Sequence, residues 1–212
     1  AGVAVGKLRA FQDQLGSEFS ASSRAPQPEI NSLLRNSQSE LSTAIDLRES
    51  GKYEEAQEWL NKFVQNNPPN PEALSLLSQV LLLDKKEVEA EEILKAAASI
   101  EPKTPSIYRN QARLLLKQSK PLEALERAQM GCEQSPDDSE SLLVLAACLR
   151  ANQRDLEALP LIEKILKAKS NYAEAYANRA FIRLRTKDTT GAIEDAQMVV
   201  SLKPHLTQMW QL

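Results

Sequence analysis

Arg109, Arg113 and Lys117 stand four residues apart. On a helix that spacing lines three cations along one face. Arg150 and Arg185 add guanidinium groups further along the chain, and Asn110 and Asn178 add side-chain amides. A guanidinium forks onto carboxylates, and an amide both donates to and accepts from an extended backbone. These groups suit holding an acidic or extended peptide rather than breaking bonds. Residues suited to the latter are scarce. The one histidine, His205, directly follows Pro204 and gives no basis for a Ser–His–Asp or Cys–His arrangement. Cys132 and Cys148 have neither zinc spacing nor the numbers of a disulfide framework, and read as free, half-buried thiols of a reducing compartment. The stretch GVAVGK at 2–7 has one residue too few for a phosphate loop, lacks the following Ser or Thr, and follows no strand. Glu87, Glu89, Glu91 and Glu92 lack the glycine of a calcium loop and read as a solvated helix face. No catalytic site, metal or cofactor is expected.

The composition sets what must position these groups. The chain has 212 residues, 42% hydrophobic and 26% charged, with 5% aromatics and 6 glycines. Such values belong to a folded, water-soluble chain that favours helix over sheet, and exclude collagen-like, disulfide-scaffold and wholly disordered classes. A net charge of −3 argues against a dedicated nucleic-acid binder, which needs a basic excess to neutralise phosphates. No apolar run approaches the roughly 18 residues of a membrane span. The opening AGVAVGKLRA is too short and too polar for a secretory core, so a cytoplasmic location is expected, although a leader already removed would leave no trace. The first residue is not Met, which reads as a fragment or a processed chain.

A period of 34 residues runs through the sequence. Ala56, Ala90, Ala124, Ala158 and Ala192 keep it without a slip. Twelve residues before each stands another small residue: Ala44, Ser78, Ala112, Ala146 and Ala180. Twelve after come Pro68, Pro102, Pro136, Ser170 and Pro204, and nine before come Leu47, Leu81, Leu115, Leu149 and Arg183. Within a unit the apolar positions recur as on helices: Leu74, Leu77, Ser78 and Leu81, then Ala90, Leu94 and Ala97. Asn70-Pro71 and Thr104-Pro105 place a capping side chain before a helix-starting proline, and Asp138 offers another cap. The late proline ends the second helix. Each unit is therefore two helices whose small residues meet at a close crossing. Leu60, Leu94 and Ile162 fill the space between successive units, which stand only by stacking.

This pattern resembles the tetratricopeptide repeat (TPR) family. PEALSLLSQVLLLDKKEVEAEEILKAAASIEPKT at 71–104 and AEAYANRAFIRLRTKDTTGAIEDAQMVVSLKPHL at 173–206 carry the resemblance. It covers five tandem units, 37–70, 71–104, 105–138, 139–172 and 173–206. It implies an all-α fold: a right-handed superhelix, or α-solenoid, of antiparallel helix pairs. It also implies that the first helix of each unit lines a concave face. On that face it places Arg109, Asn110, Arg113, Lys117, Leu143, Arg150, Asn178 and Arg185, a groove for a peptide with acidic and apolar residues. Asn178-Arg179 resembles the pair that clamps carboxylate tails in a chaperone-binding TPR subclass. Leu143 and Ala147 stand where that clamp has Lys and Asn, so the clamp itself is not expected. Arg179 and Arg183 occupy core positions, which calls for a local ion pair with Asp195 or Glu194, or else a neighbour against that face.

Residues 1–36 lie outside the register. Val5, Leu8, Leu15 and Phe19 suggest a helix over 4–19, followed by the linker SASSRAPQP; together they read as a cap or as an arm toward another molecule. Residues 207–212, with Trp210, read as the start of a sixth helix. The expected function is a non-catalytic protein-interaction scaffold. Two alternatives are the substrate-recruiting region of a larger enzyme, such as a transferase, and a self-assembly module acting through solenoid ends or the N-terminal arm.

Overall fold

A computed structural model of the chain describes residues 41–67 and 70–203. The expected helix at 4–19, the linker after it and the segment 207–212 lie outside the described residues. Ten helices and no strand occur among those described. Helix α1 is described over 41–49. It is followed by α2 (Tyr53–Asn66), α3 (Pro71–Leu83), α4 (Glu87–Ile100), α5 (Pro105–Lys117) and α6 (Pro121–Gln134). Then come α7 (Ser139–Ala151), α8 (Asp155–Ala168), α9 (Ala173–Arg185) and α10 (Thr189–Leu202).

Local chemistry sets the helix ends. The Asn70 side chain accepts from the Glu72 and Ala73 amides at 2.9 and 3.1 Å, with Pro71 opening α3. Asp138 accepts from the Ser141 amide at 2.9 Å, and Asp188 from the Gly191 amide at the same distance. These bonds satisfy amides that the first turn leaves unpaired. Thr104 sends its hydroxyl to the Glu101 carbonyl at 3.0 Å. The turns within the pairs share one device. Gly51, Lys85, Ser119, Gln153 and Lys187 all have φ between 59° and 76°. The amide just beyond each reaches back five residues, as in Lys86 to the Leu81 carbonyl at 2.8 Å and Arg154 to the Leu149 carbonyl at 2.9 Å. This is the left-handed helix ending that glycine fills most cheaply. Four of these five residues are not glycine.

The described residues divide into two compact units, one ending at Asn110 and the other beginning at Gln111, the division falling within α5. In the first, α2 packs on α3 and α3 on α4. Helix α3 is buried nearly all round, by Leu74, Leu77, Val80 and Leu81 on one side and Leu76 and Leu82 on the other. Trp59 stacks on Phe63 at 5.2 Å between ring centroids. In the second unit α6 packs on α7, α7 on α8, both α7 and α8 on α9, and α9 on α10. Its core joins Leu142, Val144, Leu149, Ile162, Ile165 and Ile182.

The small residues lie where helices meet most closely. Ala56, Ala90, Ala124 and Ala158 are fully buried, as are Ala44, Ser78, Ala112 and Ala146, and Ala192 is 3% exposed. Leu60, Leu94 and Ile162 are buried as expected. Burying each contributes about 1.5–3 kcal/mol. The last pair differs. Arg179 donates to both carboxylate oxygens of Asp195, from Nε at 2.9 Å and Nη2 at 2.7 Å. Arg183 Nη1 adds bonds to Asp195 Oδ2 at 2.9 Å and the Gly191 carbonyl at 2.8 Å. Of the two acids weighed for these arginines, Asp195 is the partner.

Candidate functional site

Helix α5 carries the first cations. Four-residue spacing stacks Arg109, Arg113 and Lys117 along it. Arg109 and Arg113 are half-buried, and Lys117 is exposed. Arg113 Nη2 reaches Glu140 Oε1 of α7 at 3.0 Å. Tyr172, which precedes α9, belongs to the same neighbourhood. Burial, reinforced by the charges of Glu140 and Glu174 against that of Arg113, pushes its hydroxyl up to about 12. Asn110 is placed differently from expectation. It is buried, and its Nδ2 donates to the Ser75 carbonyl at 2.7 Å and lies 3.0 and 3.2 Å from the Ser75 and Ser78 hydroxyls. The two serines of α3 leave room that a larger pair would close. The amide is therefore a core hydrogen-bonding group, not a surface for a ligand.

The junction of α7 with α9 gathers the second set. The Arg150 Cζ lies 4.7 Å from the centroid of the Phe181 ring. This is a cation–π contact, with the cation over the electron-rich face of the ring. Arg185 Nη1 donates to the Arg150 carbonyl at 3.3 Å, and its Nη2 pairs with Asp155 Oδ2 at the start of α8. Burial, followed by the nearby charge of Arg185, lowers the pKa of Arg150, while Asp155 opposes that shift. Phe181 and Leu184, three residues apart on α9, are 51% and 54% exposed.

Two of the remaining expected residues contribute less. Leu143 is buried and belongs to the second core, so it is not a free apolar step in a groove. Asn178 returns its amide to the Glu174 carbonyl of its own helix at 2.8 Å. The structure thus brings Arg150 and Arg185 together and joins Arg113 to α7 through Glu140. Phe181, Asp155 and Glu140 were not anticipated. Their signal was the spacing: Phe181 follows Arg150 by 31 residues, and Arg185 follows Asp155 by 30. An offset a few residues short of the period sets side chains of successive units side by side.

Of the two cysteines, Cys132 is partly buried and Cys148 fully so. Cys148 is buried, and burial pushes it up to about 12, so the nucleophilic thiolate is suppressed. Among the described residues no cluster of His, Cys, Asp or Glu is arranged to hold a metal ion, and no helix is long and apolar enough to cross a membrane.

A family model described as ChAPs (Chs5p-Arf1p-binding proteins) matches residues 41–159, more than half of the 212-residue chain. No curated protein matches the sequence. Among solved structures, TTC0263, a thermophilic TPR protein in Thermus thermophilus, is similar with a TM-score of 0.68 at 17% identity, over 79% of this chain and 91% of that one. PilF of Pseudomonas aeruginosa is similar with a TM-score of 0.57 at 17% identity, over 77% and 75% of the two chains. MamA from residue 41 onward, from Desulfovibrio magneticus RS-1, gives 0.53 at 16% identity, over 79% and 95%. At such identities the likeness concerns the fold, which is the all-α solenoid of TPR proteins.

Proposed function

As the chain belongs to the ChAPs family of Chs5p-Arf1p-binding proteins, we propose that it is a non-catalytic scaffold that holds a protein segment. The segment lies against the face of the second unit that carries Arg113, Lys117, Arg150 and Arg185. The observation carrying this reading is the α7–α9 junction, where Arg150 stacks on a half-exposed Phe181 beside Arg185. Cations beside exposed aromatic and aliphatic side chains suit an acidic segment with apolar residues. Leu143, buried in the core of the same unit, does not touch the segment.

Display of a random peptide library on the 212-residue chain tests the reading, with the Arg113→Glu/Lys117→Glu variant in parallel. Acidic peptides enriched by the wild-type chain and lost from the variant are the expected result. No enrichment, or equal enrichment by both, would overturn it. A second reading is self-association, favoured by the exposure of Leu184, Ile193 and Val200 on the last helix pair, at 54%, 54% and 47%. Light scattering over a concentration series checks that reading, and a constant monomer mass removes it.

A further inference from the structure

At the α7–α9 junction one guanidinium has an incomplete set of hydrogen bonds. Arg150 Nε is buried and meets no acceptor among the described residues. A buried N–H without an acceptor is rare in a folded protein, because it has lost its water and gained nothing. The Arg150 Cζ sits over the Phe181 ring, 4.7 Å from its centroid. Because Nε is closed to solvent, what remains open to a ligand is the pair of terminal Nη groups, whose spacing also matches a carboxylate. The nearest acid does not fill the need. Asp155 gives Oδ2 to Arg185, and its other oxygen, Oδ1, is itself buried without a hydrogen-bond partner. Two guanidiniums therefore share one carboxylate, leaving the cluster of Arg150, Arg185 and Asp155 with one positive charge. A monoanion balances that charge, whereas a phosphate dianion exceeds it. Phe181 and Leu184 offer apolar surface next to the cations.

We infer that Arg150, packed over Phe181 and flanked by Arg185, is a receptor for a single carboxylate of a bound segment, with an aliphatic neighbour of that carboxylate resting on Phe181 and Leu184. This rests on the peptide-holding function proposed above and names its central contact. It differs from the chaperone-tail clamp, since it uses neither the Leu143 nor the Ala147 position. The carboxylate belongs either to an acidic side chain or to a chain terminus, and the two are separable by experiment.

The test is a titration of the whole 212-residue chain, observed through the arginine Nε–H signals of a heteronuclear NMR spectrum. Three probes of equal size are used: acetyl-Leu-Glu-amide, acetyl-Leu-Gln with a free terminus, and the neutral acetyl-Leu-Gln-amide. Arg150→Gln assigns the signal. Should that variant not fold, Phe181→Leu assigns it by removing the ring-current shift. A saturable movement of the Arg150 signal is expected with a carboxylate probe, at least about tenfold tighter than with the neutral one, the gain of one charge-assisted bond. Response to the first probe alone assigns an acidic side chain, to the second alone a terminus, and to both either source. No saturable movement, or an equal response to the neutral probe, overturns the inference. A library peptide that binds and is lost in Arg113→Glu/Lys117→Glu, but is indifferent to Arg150→Gln, removes this site and leaves the proposed function standing. The absence of any binding peptide removes the function itself.

Discussion

Where α7 and α8 place Leu145, Leu149 and Leu161, α9 and α10 place Arg179, Arg183 and Asp195, each 34 residues further on. In the earlier pair Leu149 is 5% exposed, and Leu145 and Leu161 pack against the core. In the later pair the same three columns hold a charge cluster around an aspartate that is 2% exposed. Even the glycine follows from the exchange. Gly191 stands where α8 has Glu157, and a Cβ there would come within 2.3 Å of Asp188 Oδ2 and 3.0 Å of the Arg183 guanidinium. One backbone pattern thus accepts two interiors. A hydrocarbon interior asks only for volume, and its stabilisation is spread over many weak contacts. An ionic interior loses hydration on burial and recovers it only when every partner is in place. The first should degrade gradually under mutation, and the second abruptly.

The largest expected effect follows from removing Asp195. Asp195→Ala leaves two part-buried guanidiniums facing each other and should lower stability by about 3 kcal/mol, the low end for breaking a buried pair, because both arginines retain some access to water. Urea unfolding measures it. Replacing the cluster with the leucines of the earlier pair, as Arg179→Leu/Arg183→Leu/Asp195→Leu, should recover that loss or exceed the wild type. A triple variant weaker than Asp195→Ala would mean that the ionic interior is favourable in its own right.

Steric crowding gives the next effect. Ala158 and Ala192 occupy the same column in the two pairs, at 0% and 3% exposure. Ala158→Leu should cost about 1–3 kcal/mol, because a close-packed apolar crossing has nowhere to put extra methylenes. Ala192→Leu should cost less, since Arg183 can swing toward water. Equal losses would place both helix crossings under the same constraint and blur the contrast.

Base separates the interiors in another way. Cys148 in α7 and Tyr172 ahead of α9 are both pushed up to about 12 by burial, from ordinary values of 9.0 and 10.0. The folded state keeps each neutral, while the unfolded chain ionises at the ordinary value. Their contribution is fully present below pH 9.0 and is lost progressively as pH rises toward about 12. Arg179, raised further by its hydrogen bond to Asp195, stays charged through that window. Tyr172→Phe should flatten the fall in urea midpoint above pH 10.0, and an unchanged slope would contradict the assignment.

Much of this architecture was legible in the residues, and the reasons are physical. Two helices cannot cross closely over anything larger than Ala or Ser, so the small columns betray the crossings. Asn70 and Asp138 cap because their reach is local, and Arg179 called for a nearby acid, Asp195 or Glu194, because a core cation cannot stand alone. The site was less legible. Whether Asn110 faces water depended on the size of Ser75 and Ser78, about one period earlier in the chain. Arg150 meets Phe181 through helix packing, not through sequence neighbourhood. The left-handed turns were hidden because only Gly51 displays the residue type that betrays them.

Those turns supply the smallest prediction and the sharpest control. Gln153 and Lys187 hold φ at 62° and 64°, one closing α7 onto α8 and the other α9 onto α10. A side chain there costs about 1–2 kcal/mol of backbone strain. Glycine removes the strain but returns about 0.4–1 kcal/mol as entropy of the unfolded chain. Gln153→Gly and Lys187→Gly should therefore each stabilise by roughly 0.5–1 kcal/mol. The two gains should be equal, because the same backbone bond closes each turn, the Arg154 amide to the Leu149 carbonyl and the Asp188 amide to the Arg183 carbonyl, both at 2.9 Å. Unequal gains would show that the ionic interior strains its own turn, and the contrast between the pairs would then extend from side chains to backbone.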